Sequence, residues 1–286
     1  MNTEVKFRLA GGAQPLILVP ASVNESEPHE FILDTGAGIS LLTPELAERF
    51  GVAATDSKEA MGVGGKVTIS LGVARLLEVG ESRVENIQVA ITDELHRIGA
   101  VIGARVEGNI GYNFLKEFSL TIDYQSSTLS LTRVSKEASG AGAAAAGMRA
   151  TATAARAELK FKLAHPSKPL ILLPVFIDGG GPYIFATDTG ASSTVVSPEL
   201  AEMLGIHRTD IPEVTGAGGA MQASTGVLRS LGVGDALVEN LPVVIVPSLG
   251  MISQAVGTKL DGIIGYNFLK EFRVTIDYPN ETLRLD

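Results

Sequence analysis

The chain has 286 residues, a formal net charge of −9 and no cysteine. That acidity argues against nucleic acid or an anionic membrane surface as a partner, and the missing thiols exclude disulfides and thiolate metal sites. The length allows two domains of ordinary size, each with its own core.

The start, Met1-Asn2-Thr3-Glu4-Val5-Lys6-Phe7, holds no apolar stretch of the kind a secretory signal needs, and no apolar run reaches the length of a membrane span. Leu16-Ile17-Leu18-Val19 and Phe31-Ile32-Leu33 are short apolar runs bounded by turn formers or polar residues, and they predict β-strands. The second run leads straight into Asp34-Thr35-Gly36-Ala37. A short helix is predicted next, with Thr43 as N-cap, Pro44 at its first position, Glu45 near its positive end and a stop before Gly51. Gly62-Val63-Gly64-Gly65 predicts a turn, and Val89-Ala90-Ile91 another strand. Ile110-Gly111 introduces Tyr112-Asn113-Phe114-Leu115-Lys116-Glu117-Phe118, where a second helix is predicted from Asn113 to Phe118. Leu120-Thr121-Ile122-Asp123-Tyr124 and Thr128-Leu129-Ser130-Leu131 predict a hairpin around Gln125-Ser126-Ser127. Residues 135–156 are rich in Ala and Gly, lack large apolar side chains and read as a linker. A flexible segment of that length spans roughly 25–30 Å.

The pattern then repeats at a fixed separation of 154 residues. Asp188-Thr189-Gly190-Ala191 answers Asp34-Thr35-Gly36-Ala37, Gly216-Ala217-Gly218-Gly219 answers the Gly-rich segment, and Ile264-Gly265 answers Ile110-Gly111. Gly111 through Phe118 recurs unchanged as Gly265 through Phe272, and Thr121-Ile122-Asp123-Tyr124 as Thr275-Ile276-Asp277-Tyr278. Roughly half of the aligned positions are identical with no net insertion, so a whole unit is duplicated. The period is too long for a solenoid and predicts two homologous lobes, over residues 1–134 and 157–286.

Two apolar residues, Asp-Thr-Gly-Ala, a Gly-rich segment and then apolar-Gly, present twice in register, resemble the retropepsin-like aspartic proteases, most closely their bacterial branch. The resemblance covers both units nearly end to end and omits the linker. It implies a mainly β fold of two β-barrel lobes related by a pseudo-two-fold axis, each with one or two short helices. It also implies that Asp34 and Asp188 are the catalytic pair, meeting at that axis around one water. Two carboxyls that close cannot both ionise cheaply, so one serves as base while the other holds a proton. Thr35 and Thr189 would hydrogen-bond across the axis, and Gly36 and Gly190 would permit close backbone approach. The segments Gly62-Val63-Gly64-Gly65 and Gly216-Ala217-Gly218-Gly219 stand where the family places its flaps, and Ile110-Gly111 and Ile264-Gly265 complete the motif. Pepsin-like enzymes carry a hydroxyl where this chain has Ala37 and Ala191, so the dyad is expected to titrate higher and to work at mildly acidic to neutral pH.

Four departures or distractions matter. The acidic residue and Arg that form an ion pair in retroviral members are replaced by Gly38 and Tyr112 in one unit and by Ser192 and Tyr266 in the other, which predicts a different brace. Asn109 stands where the second unit has Ile263; a buried polar residue there needs a partner and would make the site wall asymmetric. Asp123 and Asp277 lie at predicted turns, which favours a structural role. His29, His96, His165 and His207 are scattered, and neither a metal nor a cofactor is expected. The resulting expectation is an endopeptidase acting on extended polypeptide, a monomer whose lobes pair within one chain. The alternatives are a silent peptide-binding or scaffold protein, and lobes that pair between chains. The sequence sets no compartment.

Overall fold

A six-stranded sheet ties the two halves of the chain together. In the computed structural model, residues 2–13, 15–55, 57–62, 65–134, 158–166, 168–216 and 219–286 are described. The first lobe runs β1 (Asn2–Lys6), β2 (Arg8–Ala10), β3 (Leu16–Val23), β4 (His29–Leu33), β5 (Ser40–Leu42), α1 (Pro44–Arg49), β6 (Ser57–Gly62) and β7 (Gly65–Val79). It continues through β8 (Ser82–Ile91), α2 (Glu94–Ile102), β9 (Gly108–Ile110), α3 (Tyr112–Leu115), β10 (Phe118–Asp123) and β11 (Thr128–Arg133). The second lobe opens with β12 (Leu159–Lys160), β13 (Lys162–His165), β14 (Lys168–Ile177), β15 (Gly180–Thr187), β16 (Val195–Val196), α4 (Pro198–Met203) and β17 (Thr209–Gly216). It closes with β18 (Gly219–Val233), β19 (Ala236–Ile245), α5 (Leu249–Val256), β20 (Gly262–Ile264), α6 (Tyr266–Leu269), β21 (Arg273–Asp277) and β22 (Thr282–Leu285).

The shared sheet has the order β1-β11-β10-β21-β22-β12, three strands from each lobe. At its centre β10 and β21 run antiparallel with Thr121 opposite Thr275 and their hydroxyls 3.0 Å apart. These residues are equivalent in the repeat, so the pseudo-two-fold axis passes between them. Each lobe adds an eight-stranded sheet: β2-β3-β4-β9-β5-β8-β7-β6 in the first, β13-β14-β15-β20-β16-β19-β18-β17 in the second. Extra pairings, β3 with β7 and β14 with β18, curl each sheet back on itself. The fold is mainly β, in two similar lobes.

The run Leu16 to Val19 is apolar throughout because both faces of its strand are covered. Ile17 and Val19 enter the central core, while Leu16 and Leu18 pack with Leu95 of α2. Alternation along a strand sends successive side chains to opposite faces, so a two-sided strand needs no polar positions. The central core is continuous across the lobes, joining Leu33, Phe114 and Ile122 to Phe185, Phe268 and Ile276. Among the described residues no helix is long and apolar enough to cross a membrane. Nor is any group of three or more His, Asp or Glu placed to hold a metal ion among them.

Helix α1 forms as its caps predict: the Thr43 hydroxyl accepts from Leu46 N at 3.3 Å, and Gly51 follows with φ +68°. The helix expected from Asn113 to Phe118 is one turn, Tyr112–Leu115, and its twin expected from Asn267 to Phe272 is Tyr266–Leu269. Phe118 is instead drawn into the shared sheet, opposite Arg133. Helices α2 and α5 are not among the predicted elements; their N-cap residues, Asp93 and Ser248, have helical backbone angles and make no side-chain cap bond. Asp123 and Asp277, expected at turns, do hold them, accepting from Ser126 N at 3.0 Å and Asn280 N at 2.9 Å. Residues 135–156 lie outside the described residues.

A core and a sheet that cross the lobe boundary predict cooperative unfolding. Leu120, fully buried in β10 opposite Ile276, is the test: Leu120→Ala should cost about 2–5 kcal/mol. Calorimetry should show one transition shifted down, rather than one lobe melting ahead of the other.

Candidate active site

Strands β4 and β9 run parallel, with Leu33 opposite Ile110, so their carboxyl-terminal ends arrive side by side. Asp34 N then donates to Ile110 O at 3.1 Å, and Tyr112 N to Ala37 O at 2.8 Å. The second lobe repeats both bonds, from Asp188 N to Ile264 O at 3.0 Å and from Tyr266 N to Ala191 O at 2.8 Å. The Asp-Thr-Gly-Ala loop and the apolar-Gly loop are thereby one unit in each lobe.

A second fastening in each loop pair uses residues that sequence inspection passed over. Asn113 Oδ1 accepts from Ser40 N at 2.8 Å and Ser40 Oγ at 2.9 Å, and Asn113 Nδ2 donates to Gln88 O at 2.6 Å. Asn267 does the same with Thr194 N at 2.7 Å, Thr194 Oγ1 at 2.8 Å and Pro242 O at 2.7 Å. The only signal was their recurrence at the repeat spacing; a Ser answering a Thr hides it, although both supply the same hydroxyl.

The two loops meet across the axis through their threonines. Thr35 N donates to Thr189 Oγ1 at 3.1 Å, and Thr189 N to Thr35 Oγ1 at 3.0 Å. Each hydroxyl then donates to a carbonyl of the opposite lobe, Thr189 Oγ1 to Leu33 O at 2.8 Å and Thr35 Oγ1 to Thr187 O at 3.2 Å. Both threonines are buried, at 0% and 1% exposure, so water does not compete for these bonds.

This lock brings Asp34 and Asp188 face to face. A Cβ on Gly36 would lie 2.5 Å from Asp188 Cγ, and one on Gly190 would lie 2.7 Å from Asp34 Cγ, so the carboxyls fit only against bare backbone. Asp34 Oδ1 accepts from Gly36 N and Ala37 N, both at 2.9 Å, and Asp34 Oδ2 from Asn109 Nδ2 at 2.5 Å. Asp188 Oδ1 accepts from Gly190 N at 2.7 Å. Burial among protein atoms raises both carboxyls above the ordinary carboxylate range. Asp34 is restrained by the bond from Asp188, its two backbone donors and Asn109. Asp188 is driven higher by the charge of Asp34 opposite it.

The brace that replaces an ion pair is aromatic. Tyr112 meets Tyr278 of the other lobe edge-on with centroids 5.4 Å apart, and Tyr266 meets Tyr124 at 5.6 Å. Phe7 and Phe161 extend the two stacks, each 6.1 Å from its tyrosine. Such pairs add about 0.5–1.5 kcal/mol each beyond the area they bury.

The Gly-rich segments are hairpin ends. Gly62 pairs with Gly65 at the end of β6–β7, and Gly216 with Gly219 at the end of β17–β18. Val63, Gly64, Ala217 and Gly218 lie outside the described residues. Strand β6 approaches α5 of the other lobe and β17 approaches α2, so each hairpin reaches across the lobe boundary. Among the described residues no hydrogen bond joins these hairpins to Asp34 or Asp188.

A model of the aspartyl protease family matches the chain twice, over residues 19–114 and 173–268. Each match contains one Asp-Thr-Gly and the apolar-Gly pair that follows it. No curated protein matches the chain.

The site generates two expectations about stability. Thr35→Val deletes a hydroxyl that serves one buried N–H and one buried carbonyl, and should cost about 2–5 kcal/mol in urea unfolding, with Thr35→Ser much milder. The second concerns pH. A carboxyl whose proton affinity is raised by folding stabilises the fold fully below its unfolded value of about 3.9, and that contribution is lost as pH climbs through the folded value. Asp188→Asn should therefore gain on wild type as pH rises above about 4, read as the difference in urea midpoint.

Proposed function

The chain belongs to the aspartyl protease family, and from that premise we propose that it is an endopeptidase cutting extended polypeptide with one water held between Asp34 and Asp188. The observation that carries this proposal is the meeting of two carboxyls from different lobes over Gly36 and Gly190, held by the reciprocal threonine bonds.

In the proposed reaction the ionised carboxyl takes a proton from water as the oxygen attacks the scissile carbonyl carbon. The protonated carboxyl meanwhile donates to the carbonyl oxygen, giving a neutral tetrahedral diol. Transfer of a proton to the amide nitrogen, with return of one from a diol hydroxyl, breaks the C–N bond and restores the singly protonated dyad. No metal takes part in this scheme. The crossing hairpins are proposed as flaps that close over substrate. An extended peptide would pair through its backbone. Joining both lobes in one chain makes the active species a monomer and removes any dependence on dimer concentration.

The reacting form carries one proton on the dyad, so the active window lies between its two apparent values. Burial lifts both carboxyls, which supports an optimum in the mildly acidic to neutral range. The test is digestion of a diverse peptide mixture across roughly pH 3 to 8, read by mass spectrometry. Asp34→Asn and Asp188→Asn should each lower cleavage by about 10²–10⁴-fold or more, with rate proportional to protein concentration. An optimum near pH 2–3 would overturn the assigned pH range, and no cleavage by wild type would move the protein to the peptide-binding class.

A further inference from the structure

We infer that Asn109 is a positioning residue that makes the dyad unequal, holding Asp34 as the ionised carboxyl and leaving the shared proton on Asp188. This inference deepens the protease proposal and rests on it for its chemical meaning, while its geometry stands apart from it.

Asn109 is the middle residue of β9, paired in parallel with Ile32 and antiparallel with Leu41, and it is 2% exposed. An amide there among aliphatic neighbours is costly unless its donors are used. Nδ2 is used on Asp34 Oδ2 at 2.5 Å, whereas Oδ1 has no hydrogen-bond partner among the described residues. The side chain is therefore committed to the carboxyl and to nothing else in its own lobe. In the second lobe the same register position, between Ala186 and Val195, is Ile263, which packs in an apolar cluster and can donate nothing.

Donor supply decides which carboxyl bears the charge. Asp34 receives Gly36 N, Ala37 N and Asn109 Nδ2, occupying both of its oxygens. The side-chain amide bond becomes charge-assisted, and roughly twice as strong, when Asp34 is a carboxylate. Asp188 receives Gly190 N and is also favoured as a carboxylate by Gly36 N, which the two carboxyls share, but it has no counterpart of Asn109, and Ala37 and Ala191 offer no hydroxyl to either carboxyl. The other titratable group that bears on both is the buried Tyr278 phenol, which burial keeps protonated. With Asp34 ionised, the proton on Asp188 can bridge toward Asp34, and the order of proton affinities runs the same way. Asp34 is then the base that takes the proton of water, and Asp188 the acid that meets the substrate carbonyl.

The experiment is a carbon-13 NMR titration of labelled aspartate carboxyls in wild type, Asn109→Ile, and the exchange variant Asn109→Ile with Ile263→Asn. Wild type should ionise Asp34 first. Asn109→Ile, which installs the residue the other lobe already accommodates, should weaken Asp34 as an acid about tenfold. The exchange variant should make Asp188 the first to ionise. In cleavage assays Asn109→Ile should move the acidic limb of kcat/KM up by about one pH unit, whereas a purely structural residue would lower activity alike at every pH. Asp34 ionising last in wild type would overturn the inference without any variant, because Asn109 would then be accepting a proton rather than donating one. An unchanged order in the exchange variant, with the threonine amide signals intact, would overturn it as well. A protein that shows the expected order yet cleaves nothing would keep the unequal dyad and reject the protease proposal.

Discussion

Two carboxyls held face to face repel once both are charged, and the structure around Asp34 and Asp188 is arranged to keep them together regardless. At such range the repulsion reaches several kcal/mol where water is excluded. The opposing force comes from the backbone rather than from the carboxyls. Each aspartate is followed by a threonine whose N–H and hydroxyl are committed to the other lobe. The bonds are buried and closed on themselves, so parting the carboxyls means breaking four hydrogen bonds at once. Gly36 and Gly190 leave the space into which the carboxyls are pressed.

That lock is effective only if the loops are delivered in a fixed pose, and the sheets provide it at two levels. Within a lobe, the parallel β4–β9 pair sets the aspartate loop beside the apolar-Gly loop, and Asn113 or Asn267 bolts the two together. Between lobes, β10 and β21 continue one sheet through Thr121 and Thr275. The tyrosine pairs fill the space between these levels, packing each apolar-Gly loop onto the other lobe's sheet end. An aromatic brace carries no charge, so it adds no further field to two carboxyls proposed to hold one proton between them.

Much of this was legible in the sequence because duplication made it redundant. Asp34-Thr35-Gly36 alone is a short string, but the same string at the repeat spacing with its flanking strands fixes the lobe, the axis and the pairing of the carboxyls. The strand from Leu16 and the capped helix from Thr43 were legible from local chemistry. What stayed hidden was set by tertiary contact. Helix α2 starts at Asp93, a residue type equally at home in turns, whose side chain makes no cap bond, and Phe118 follows a helical pattern yet joins a strand opposite Arg133 of β11. The partnership of Ser40 with Asn113 spans 73 residues and leaves no local trace. The absence of an ion pair at Gly38 and Tyr112 was visible, but its aromatic substitute was not, since Tyr278 is reached only through the lobe interface.

Asn109 shows where a duplicated site gains by ceasing to be symmetric. The threonine lock needs both halves, since each hydroxyl completes a bond begun by the other, and there the repeat stays identical. The proposed dyad needs the opposite. Two equivalent carboxyls share a proton without preference, whereas hydrolysis asks one to accept a proton from water while the other donates to a carbonyl. In a site made from two copies of one chain, any residue that favours one carboxyl favours its twin equally. Once the halves are joined in one sequence, Asn109 can differ from Ile263 and hold a single arrangement. A polypeptide has direction, so two placements related by the pseudo-two-fold axis turn its carbonyl oxygen toward different carboxyls. With Asp188 as the proposed proton donor, only the placement that turns the carbonyl toward Asp188 would be ready to react, and the direction of the bound chain would follow from one buried amide.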